Sequence, residues 1–423
     1  MRNSALLACV LAVGCGKVNA TPDAAVTADA APPTFTVGGA VAGLAGTGLV
    51  LRLNGGNDLT ITGDGPFTFS TGLASGTSYT VTLAAQPSCP ERVCALGNAT
   101  GTIGDGNTTS VAVSCVVPKF RLASHNWGSP QSIRITDDVL ALANNATAAP
   151  RIITGVTTGV GSTETDSVAF DRTRDLLYAS ARSTTPDPAI LVFTSASTAA
   201  GDIAPARQIV IAGGVEFDGL ELDASADRLY VSGGAGSLYV IDDVSTKSGT
   251  VTPTAVIALT SPGAIALDRK TDHLYVAGAT QALYVFESAR QLTSSSVPSQ
   301  TMTWTNPTDF ARSLAVDSCR NRLYLSIRGT GSGAQMFVFD NAAALTGALD
   351  LTTASQAQID SPDHQIMSTM LDSIGDLYFW KDSAAAVRIV TAPQNLSGAV
   401  AVTPDKTITG VVASGYGLDV LGY

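Results

Sequence analysis

The feature that most constrains the fold of this chain is a motif that recurs five times in its C-terminal part. Each copy has an apolar stretch ending in Asp, a short turn, and a second apolar stretch containing Tyr, as in GLELDASADRLYVS from Gly219. A further apolar strand follows each copy, so the period of about 50 residues holds three to four strands, which is typical of a β-propeller blade. The repeated residues are Asp171, Asp223, Asp268, Asp317 and Asp372, with Tyr178, Tyr230, Tyr275, Tyr324 and Tyr378 in the same phase.

Partial copies at both ends of this region predict that the repeats close into a ring. SIRITDDVLALAN (132–144) supplies strands before the first full copy, and residues 399–423 read as a sixth, degenerate copy. A ring made from both chain ends leaves no exposed sheet edge. We therefore predict an all-β chain with a six-bladed β-propeller over residues 118–423, and a seven-bladed one as the alternative.

The repeats resemble the six- and seven-bladed NHL and lactonase-like propellers of bacterial surface and periplasmic proteins, over roughly residues 118–423. The resemblance implies the fold. Propellers of this kind have many different functions, so it implies no particular activity.

The alternating pattern of residues 35–117 predicts a small β-sandwich. Apolar residues alternate with polar or small ones in GLVLRLN, DLTITGDGPFTFS, SYTVTLA and SVAVSCV, and Gly-rich turns separate these segments. The stretch GGAVAGLAGTGLVLRLNGGNDLTI resembles an immunoglobulin-like or prealbumin-like module of secreted bacterial proteins, which has no known catalytic residues.

The cysteines of this region suggest a disulfide, because an exported chain meets an oxidising compartment. The resemblance implies a bridge between Cys94 and Cys115 and leaves Cys89 unpaired, with Cys89–Cys94 as a rival pairing. Zinc is disfavoured, since the region has no His and no paired CxxC spacing. Cys319 occupies a variable turn position of the repeat, so we expect an ordinary thiol there.

The N-terminus reads as an export signal, with Arg2, an apolar core at 5–13, and Cys15 after Gly14. LAVGCG resembles the lipobox of bacterial lipoproteins, which implies a signal peptide over 1–15, lipidation of Cys15 and, because Gly16 is not Asp, an outer-membrane location. Cleavage after Ala20 is the alternative and would give a soluble periplasmic or secreted protein. Residues 16–34 are rich in Ala, Thr, Asp and Pro and predict a disordered tether.

Composition excludes some partners. A net charge of −11 with only 14% charged residues argues against binding to nucleic acid, which needs a basic surface. Beyond residue 14 there is no apolar run of 18 residues, so we expect membrane contact only through the lipid anchor. We expect the protein to be a monomer.

The repeated Asp and Tyr residues are expected to be structural, because Asp at such turns accepts bonds from backbone amides. Positions that differ between copies are better site candidates. One such position, five residues before each repeated Asp, lies where the innermost strand of a propeller blade is expected to begin. A cation such as Ca²⁺, or a polar ligand, could bind there, whereas a solvated rim with one salt bridge is the competing interpretation. The candidates are Asp166, Asp218 and Arg312, with the nearby Glu216, while Gly263 and Met367 interrupt the set.

Other signals for chemistry are weak. The histidines His125, His273 and His364 lie in unrelated contexts, and no nucleophile motif, catalytic residue, metal site or required cofactor is predicted. Our leading hypothesis is a non-enzymatic, lipid-anchored cell-envelope protein whose propeller binds an unknown protein or polar small molecule. The alternatives are a lactonase-like or other propeller hydrolase with a cation in its central channel, and a structural, adhesin-like surface protein.

Overall fold

The computed structural model describes residues 32–422 with internal gaps. The described residues are all-β, and 57% of them lie in strands and 5% in helices. Cys15, Asp166 and His364 lie outside it, as does most of the predicted tether. The residues not described are 1–31, 127–129, 161–166, 182–187, 214–215, 234–235, 279–280, 305–309, 329–333, 362–365, 382–385, 401–403, 412–417 and 423.

The N-terminal unit consists of the first ten strands. Two four-stranded sheets, with orders β5-β2-β10-β8 and β4-β3-β7-β9, enclose one apolar core. In the first half of the strand Ser78–Ala85, alternate residues are buried, as the period-two pattern predicts. The strands are β1 Thr34–Phe35, β2 Val37–Ala42, β3 Leu49–Leu53, β4 Gly56–Ile61, β5 Gly65–Thr68, β6 Leu73–Ala74, β7 Ser78–Ala85, β8 Val93–Gly97, β9 Thr100–Thr102 and β10 Thr108–Val116.

The C-terminal unit contains the remaining strands and short helical turns. The strands are β11 Phe120–Asn126, β12 Ser132–Thr136, β13 Arg151–Ile153, β14 Val168–Asp171, β15 Leu176–Ala181, β16 Ala189–Thr194, β17 Arg207–Ile211, β18 Phe217–Asp223, β19 Arg228–Gly233, β20 Ser237–Asp242, β21 Gly249–Val251, β22 Ala255–Ala258, β23 Pro262–Asp268, β24 His273–Gly278, β25 Ala282–Phe286, β26 Gln300–Trp304, β27 Phe310–Asp317, β28 Arg322–Arg328, β29 Ala334–Asp340, β30 Gly347–Leu349, β31 Ala357–Ser361, β32 Ile366–Leu371, β33 Leu377–Lys381, β34 Ala386–Val390, β35 Gly398–Val400, β36 Lys406–Thr409 and β37 Leu418–Gly422. The helical turns are the α-helix Leu351–Ala354 and the 3₁₀ turns Val139–Ala141, Val244–Thr246, Ala289–Gln291, Ala342–Ala344 and Pro393–Asn395.

In the described residues these strands form six sheets of similar order. Each begins with an edge strand, which we call its inner strand: β14, β18, β23, β27, β32 or β37. Inner strands contact one another in the cyclic order β14, β18, β23, β27, β32, β37 and back to β14. A separate apolar core lies between each pair of neighbouring sheets. Strands such as Leu176–Ala181 are therefore buried on both faces, which explains their unbroken apolar sequences.

The two ends of this unit share one sheet, as the partial copies predict. Strand β37 pairs antiparallel with β11, and Asp419 lies opposite Ala123. The interpretation of 399–423 as a sixth hairpin copy is wrong in detail. Lys406–Thr409 completes the sheet of β32, whereas Leu418–Gly422 crosses to the sheet of β11 because that sheet lacks an inner strand of its own.

The repeated Asp residues are structural, as predicted. In one example, Asp223 Oδ1 accepts bonds from the Ser225 and Ala226 backbone amides at 3.1 and 3.2 Å. Equivalent amide bonds reach Asp171, Asp268, Asp317 and Asp372. The repeated Tyr side chains are fully buried, and each belongs to a core between neighbouring sheets.

One of these turns differs from the others in the hydrogen bonding of the second carboxylate oxygen, Oδ2, of its Asp. That oxygen accepts from Arg174 in the turn of Asp171 and from Arg320 in the turn of Asp317. In the turn of Asp268 the residue equivalent to these arginines is Thr271, and Oδ2 of the buried Asp268 has no hydrogen-bond partner among the described residues. This turn therefore retains an unsatisfied buried acceptor, which costs stability.

Candidate functional site

The six inner strands surround a cavity of about 1230 Å³. Each of them contributes residues to its wall, and so does the loop around Cys89 in the N-terminal unit. Pockets for organic ligands in proteins are commonly 300–1,000 Å³, so this cavity has room for a small molecule.

At one height in the cavity wall, residues at equivalent positions of the repeat differ in the chemistry of their side chains. The inner-strand residues that pair with the repeated Tyr occupy equivalent positions. Asp419 lies beside this set, because it accepts a bond from the amide of Phe170, the residue after Ala169. We call these six wall residues the carboxyl layer: Ala169, Glu221, Ala266, Ala315, Met370 and Asp419.

Glu221 is held in the carboxyl layer by an arginine of the next sheet. Arg269 donates from Nη2 to Glu221 Oε1 at 2.7 Å and to the Leu222 carbonyl at 2.6 Å. The Glu221 side chain is only 15% exposed. Burial raises the pKa of Glu221 to about 7, with Asp419 acting in the same direction and Arg269 opposing the shift.

Asp419 has fewer partners. Its Oδ2 accepts from the Phe170 amide at 2.6 Å, and no ion pair to it is formed within the described part of the chain. Burial raises the pKa of Asp419 to about 6, against the opposing effect of that amide and of the more distant Arg269. Perturbed carboxyl groups that line a cavity are a common mark of a functional site.

The N-terminal unit covers one end of the cavity. Glu91 Oε1 accepts from Arg172 at 2.9 Å, and the Glu91 amide donates to the Ser373 carbonyl at 3.1 Å. Arg172 also donates to the Gly422 carbonyl at 3.1 Å. These contacts lie on the side where the inner strands run into their Asp turns.

The two units are also joined covalently. Cys89 forms a disulfide with Cys319, with Cα atoms 5.4 Å apart, so the expectation of an ordinary thiol at Cys319 and an unpaired Cys89 is wrong. Cys94 is bonded to Cys115, the pairing that the module resemblance implied, and the rival Cys89–Cys94 bridge is not formed. The sequence could not indicate the first bridge, because only the docking of the two units brings together residues 230 positions apart.

The residues that the sequence singled out are divided between several places. Asp218 and Arg312 both line the cavity, together with Gly263 and Met367. Glu216 is exposed and lies outside the cavity wall.

The sequence reasoning missed Glu221 and Asp419. Comparing the copies two residues before each Asp would have found Glu221, because the sister positions hold Ala or Met. No such signal existed for Asp419, since its strand belongs to no complete copy.

The other candidate groups do not assemble a centre in the described residues. No three His, Cys, Asp or Glu side chains there are grouped as metal ligands. His125 is fully buried, neither of its ring nitrogens has a partner in the described part of the chain, and burial lowers its pKa to about 3. Nδ1 of His273 lies 2.9 Å from the Thr271 carbonyl in an exposed setting.

Comparisons with known proteins add no assignment. No protein-family model matches the chain, and no curated protein matches it. Among the described residues, no helix is both long and apolar enough to cross a membrane.

Proposed function

We propose that this chain is a lipid-anchored cell-envelope protein that binds a small ligand and does not transform it. Its six sheets are the blades of a β-propeller, and the N-terminal unit is a β-sandwich that closes one end of the central cavity. The export signal and Cys15 support attachment to the outer membrane. The chain acts as a monomer in this proposal.

One observation carries the binding function. The cavity is built from regular repeats, yet its wall contains two carboxyl groups, Glu221 and Asp419, where the other copies have Ala or Met. Placing carboxyl groups in a partly desolvated wall costs free energy, and a scaffold alone does not require it. Binding sites repay such a cost when the ligand arrives.

Access to the cavity is the first test. Ala264 lines the cavity and is half-buried, whereas Ala277 is 1% exposed in the core of the same sheet. In the folded full-length chain, N-ethylmaleimide should modify Ala264→Cys much faster than Ala277→Cys. If the two thiols react equally slowly, small molecules do not enter the cavity and the proposed function is wrong.

The anchor has an independent test. Mass spectrometry of the mature protein should find a diacylglyceryl group on Cys15. An unmodified N-terminus at Thr21 would instead place cleavage after Ala20 and remove the anchor from the proposal.

A hydrolase is the second candidate, and one observation favours it. The pKa values of about 7 for Glu221 and about 6 for Asp419 lie in the range that suits a general acid and a general base near neutral pH. Turnover of lactone or p-nitrophenyl ester substrates that disappears in Glu221→Gln would favour the enzyme over the binding protein.

A further inference from the structure

Asp419 is a carboxylate of the cavity wall that forms no ion pair with another described residue. Glu221 has Arg269 at 2.7 Å, and Asp317 has Arg320 at 2.7 Å. Asp419 accepts from the Phe170 amide through Oδ2, and the backbone amide of Val420 also stabilises its charge. A partly desolvated carboxylate whose donors are neutral backbone amides has capacity for a cationic partner.

The surroundings of Asp419 favour an organic partner over a metal ion. Across the carboxyl layer the remaining side chains are those of Ala169, Ala266, Ala315 and Met370, which offer apolar surface and no oxygen ligand. Calcium takes six to eight oxygen ligands, and among the described residues no group of three candidate ligands occurs. The cavity of about 1230 Å³ is also far larger than an ion needs.

The charge of the carboxyl layer, rather than of the whole cavity wall, which also contains Arg312, favours a cationic group on the ligand. Arg269, the cation nearest to the carboxyl layer, already donates to Glu221 and to the Leu222 carbonyl. It therefore has fewer donors left for an anionic ligand, while Asp419 keeps its acceptor capacity. The net charge of −11 also raises the local concentration of cations around the protein.

We propose that the cavity binds an organic molecule that carries an ammonium group, with Asp419 as its principal partner and Glu221 as a second acceptor. The inference rests on the proposed binding function and adds the chemical class of the ligand. The apolar members of the carboxyl layer contact the hydrocarbon part of that ligand, and the docked N-terminal unit keeps the far end of the cavity closed.

Calorimetric titration of the full-length chain tests this class directly. The probes are hexamethylenediamine, its uncharged counterpart hexanediol, its anionic counterpart adipate, and calcium chloride. Asp419→Asn keeps an oxygen for the Phe170 amide and should fold, and thermal melting verifies this. Glu287→Gln is the matched control, because it removes one negative charge from an exposed residue outside the cavity wall.

The proposal expects hexamethylenediamine to bind and hexanediol and adipate not to bind. Asp419→Asn should weaken the diamine roughly tenfold or more, which is the effect of losing one hydrogen bond to a charged group. Glu221→Gln should weaken it less, and Glu287→Gln should leave it unchanged.

Several results would overturn the proposal. They are the absence of diamine binding, equal binding of diamine and hexanediol, binding of calcium alone, and equal diamine affinity in Asp419→Asn and Glu287→Gln. If the diamine does not bind while Ala264→Cys is still modified quickly, the ligand class is wrong and the binding function survives. Slow modification of Ala264→Cys would instead remove the binding function itself.

Discussion

Replacing Glu221 by glutamine should make the protein more stable at alkaline pH, although the substitution removes one partner of an ion pair. Burial raises the pKa of Glu221 from 4.5 to about 7, even with Arg269 alongside. Each unit of difference corresponds to about 1.4 kcal/mol, so ionised Glu221 costs the folded state about 3 kcal/mol. Glutamine has nearly the same shape, remains neutral, and can still accept a bond from Arg269.

The pH window follows from the direction of the shift. Below pH 4.5 the carboxyl group is protonated in both states, and the variant and the natural protein should be equally stable. As pH rises from 4.5 to about 7, the unfolded chain releases the proton while the folded chain keeps it, so the natural protein loses stability. Above that pH the difference should be constant at about 3 kcal/mol in favour of Glu221→Gln.

Urea unfolding at pH 4 and pH 8 measures both ends of this window. Trp304 and Trp380 are buried in the C-terminal unit and report its unfolding by fluorescence. Glu287→Gln, which removes the same charge from an exposed position, should change the free energy of unfolding by less than about 0.5 kcal/mol at either pH. If Glu221→Gln destabilises the protein equally at both pH values, Glu221 is not desolvated and the description of the carboxyl layer is wrong.

Three further predictions concern stability elsewhere. Thr271→Arg should supply the missing partner of Asp268 and raise the unfolding free energy by about 1 kcal/mol; the same gain in Ala226→Arg, whose turn already has an arginine partner, would contradict this reasoning. Cys319→Ser should lower the unfolding free energy by about 5 kcal/mol, because the lost disulfide spans 230 residues; unchanged urea midpoints would refute it. Burial lowers the pKa of His125 from 6.5 to about 3. Between these two pH values the unfolded chain binds the proton and the folded chain does not, so the free energy of unfolding falls by about 1.4 kcal/mol per pH unit on acidification. His125→Leu should remove that part of the slope, and an unaltered slope would count against it.

Much of the fold could be predicted because each copy of the repeat contains the residues that form its own strands and turn. The Asp at the strand end and its turn depend on contacts within one hairpin, and local contacts leave a local sequence pattern. The buried Tyr recurs because each pair of neighbouring sheets encloses an equivalent core. The detail that could not be predicted lies where the chain closes. Leu418–Gly422 and Lys406–Thr409 look like one copy in the sequence, yet they pair with different sheets, because the choice depends on which edge lacks a partner.

The candidate site was predicted only in part for a related reason. Asp218 and Arg312 are at strand starts that differ between copies, and both line the cavity. Glu221 was overlooked because it stands inside a strand that reads as scaffold. Asp419 was invisible because its environment comes from Phe170 and from strands almost 300 residues earlier in the chain.

The covering of the cavity by the N-terminal unit was also beyond sequence reasoning. The contacts of Glu91 with Arg172 and Ser373 join segments that share no pattern, and ion pairs at such a distance along the chain leave no periodic signal. Cysteine counts likewise do not determine connectivity, so the bridge from Cys89 to Cys319 became evident only in the folded structure.

The most direct test of a ligand site in this cavity is a crystal structure of the protein purified from its native source without denaturation. The carboxyl layer predicts elongated density along the six inner strands, with a cationic atom within hydrogen-bond distance of the Asp419 carboxylate. Density for ordered water alone in the cavity, or a ligand bound away from Asp419 and Glu221, would contradict it.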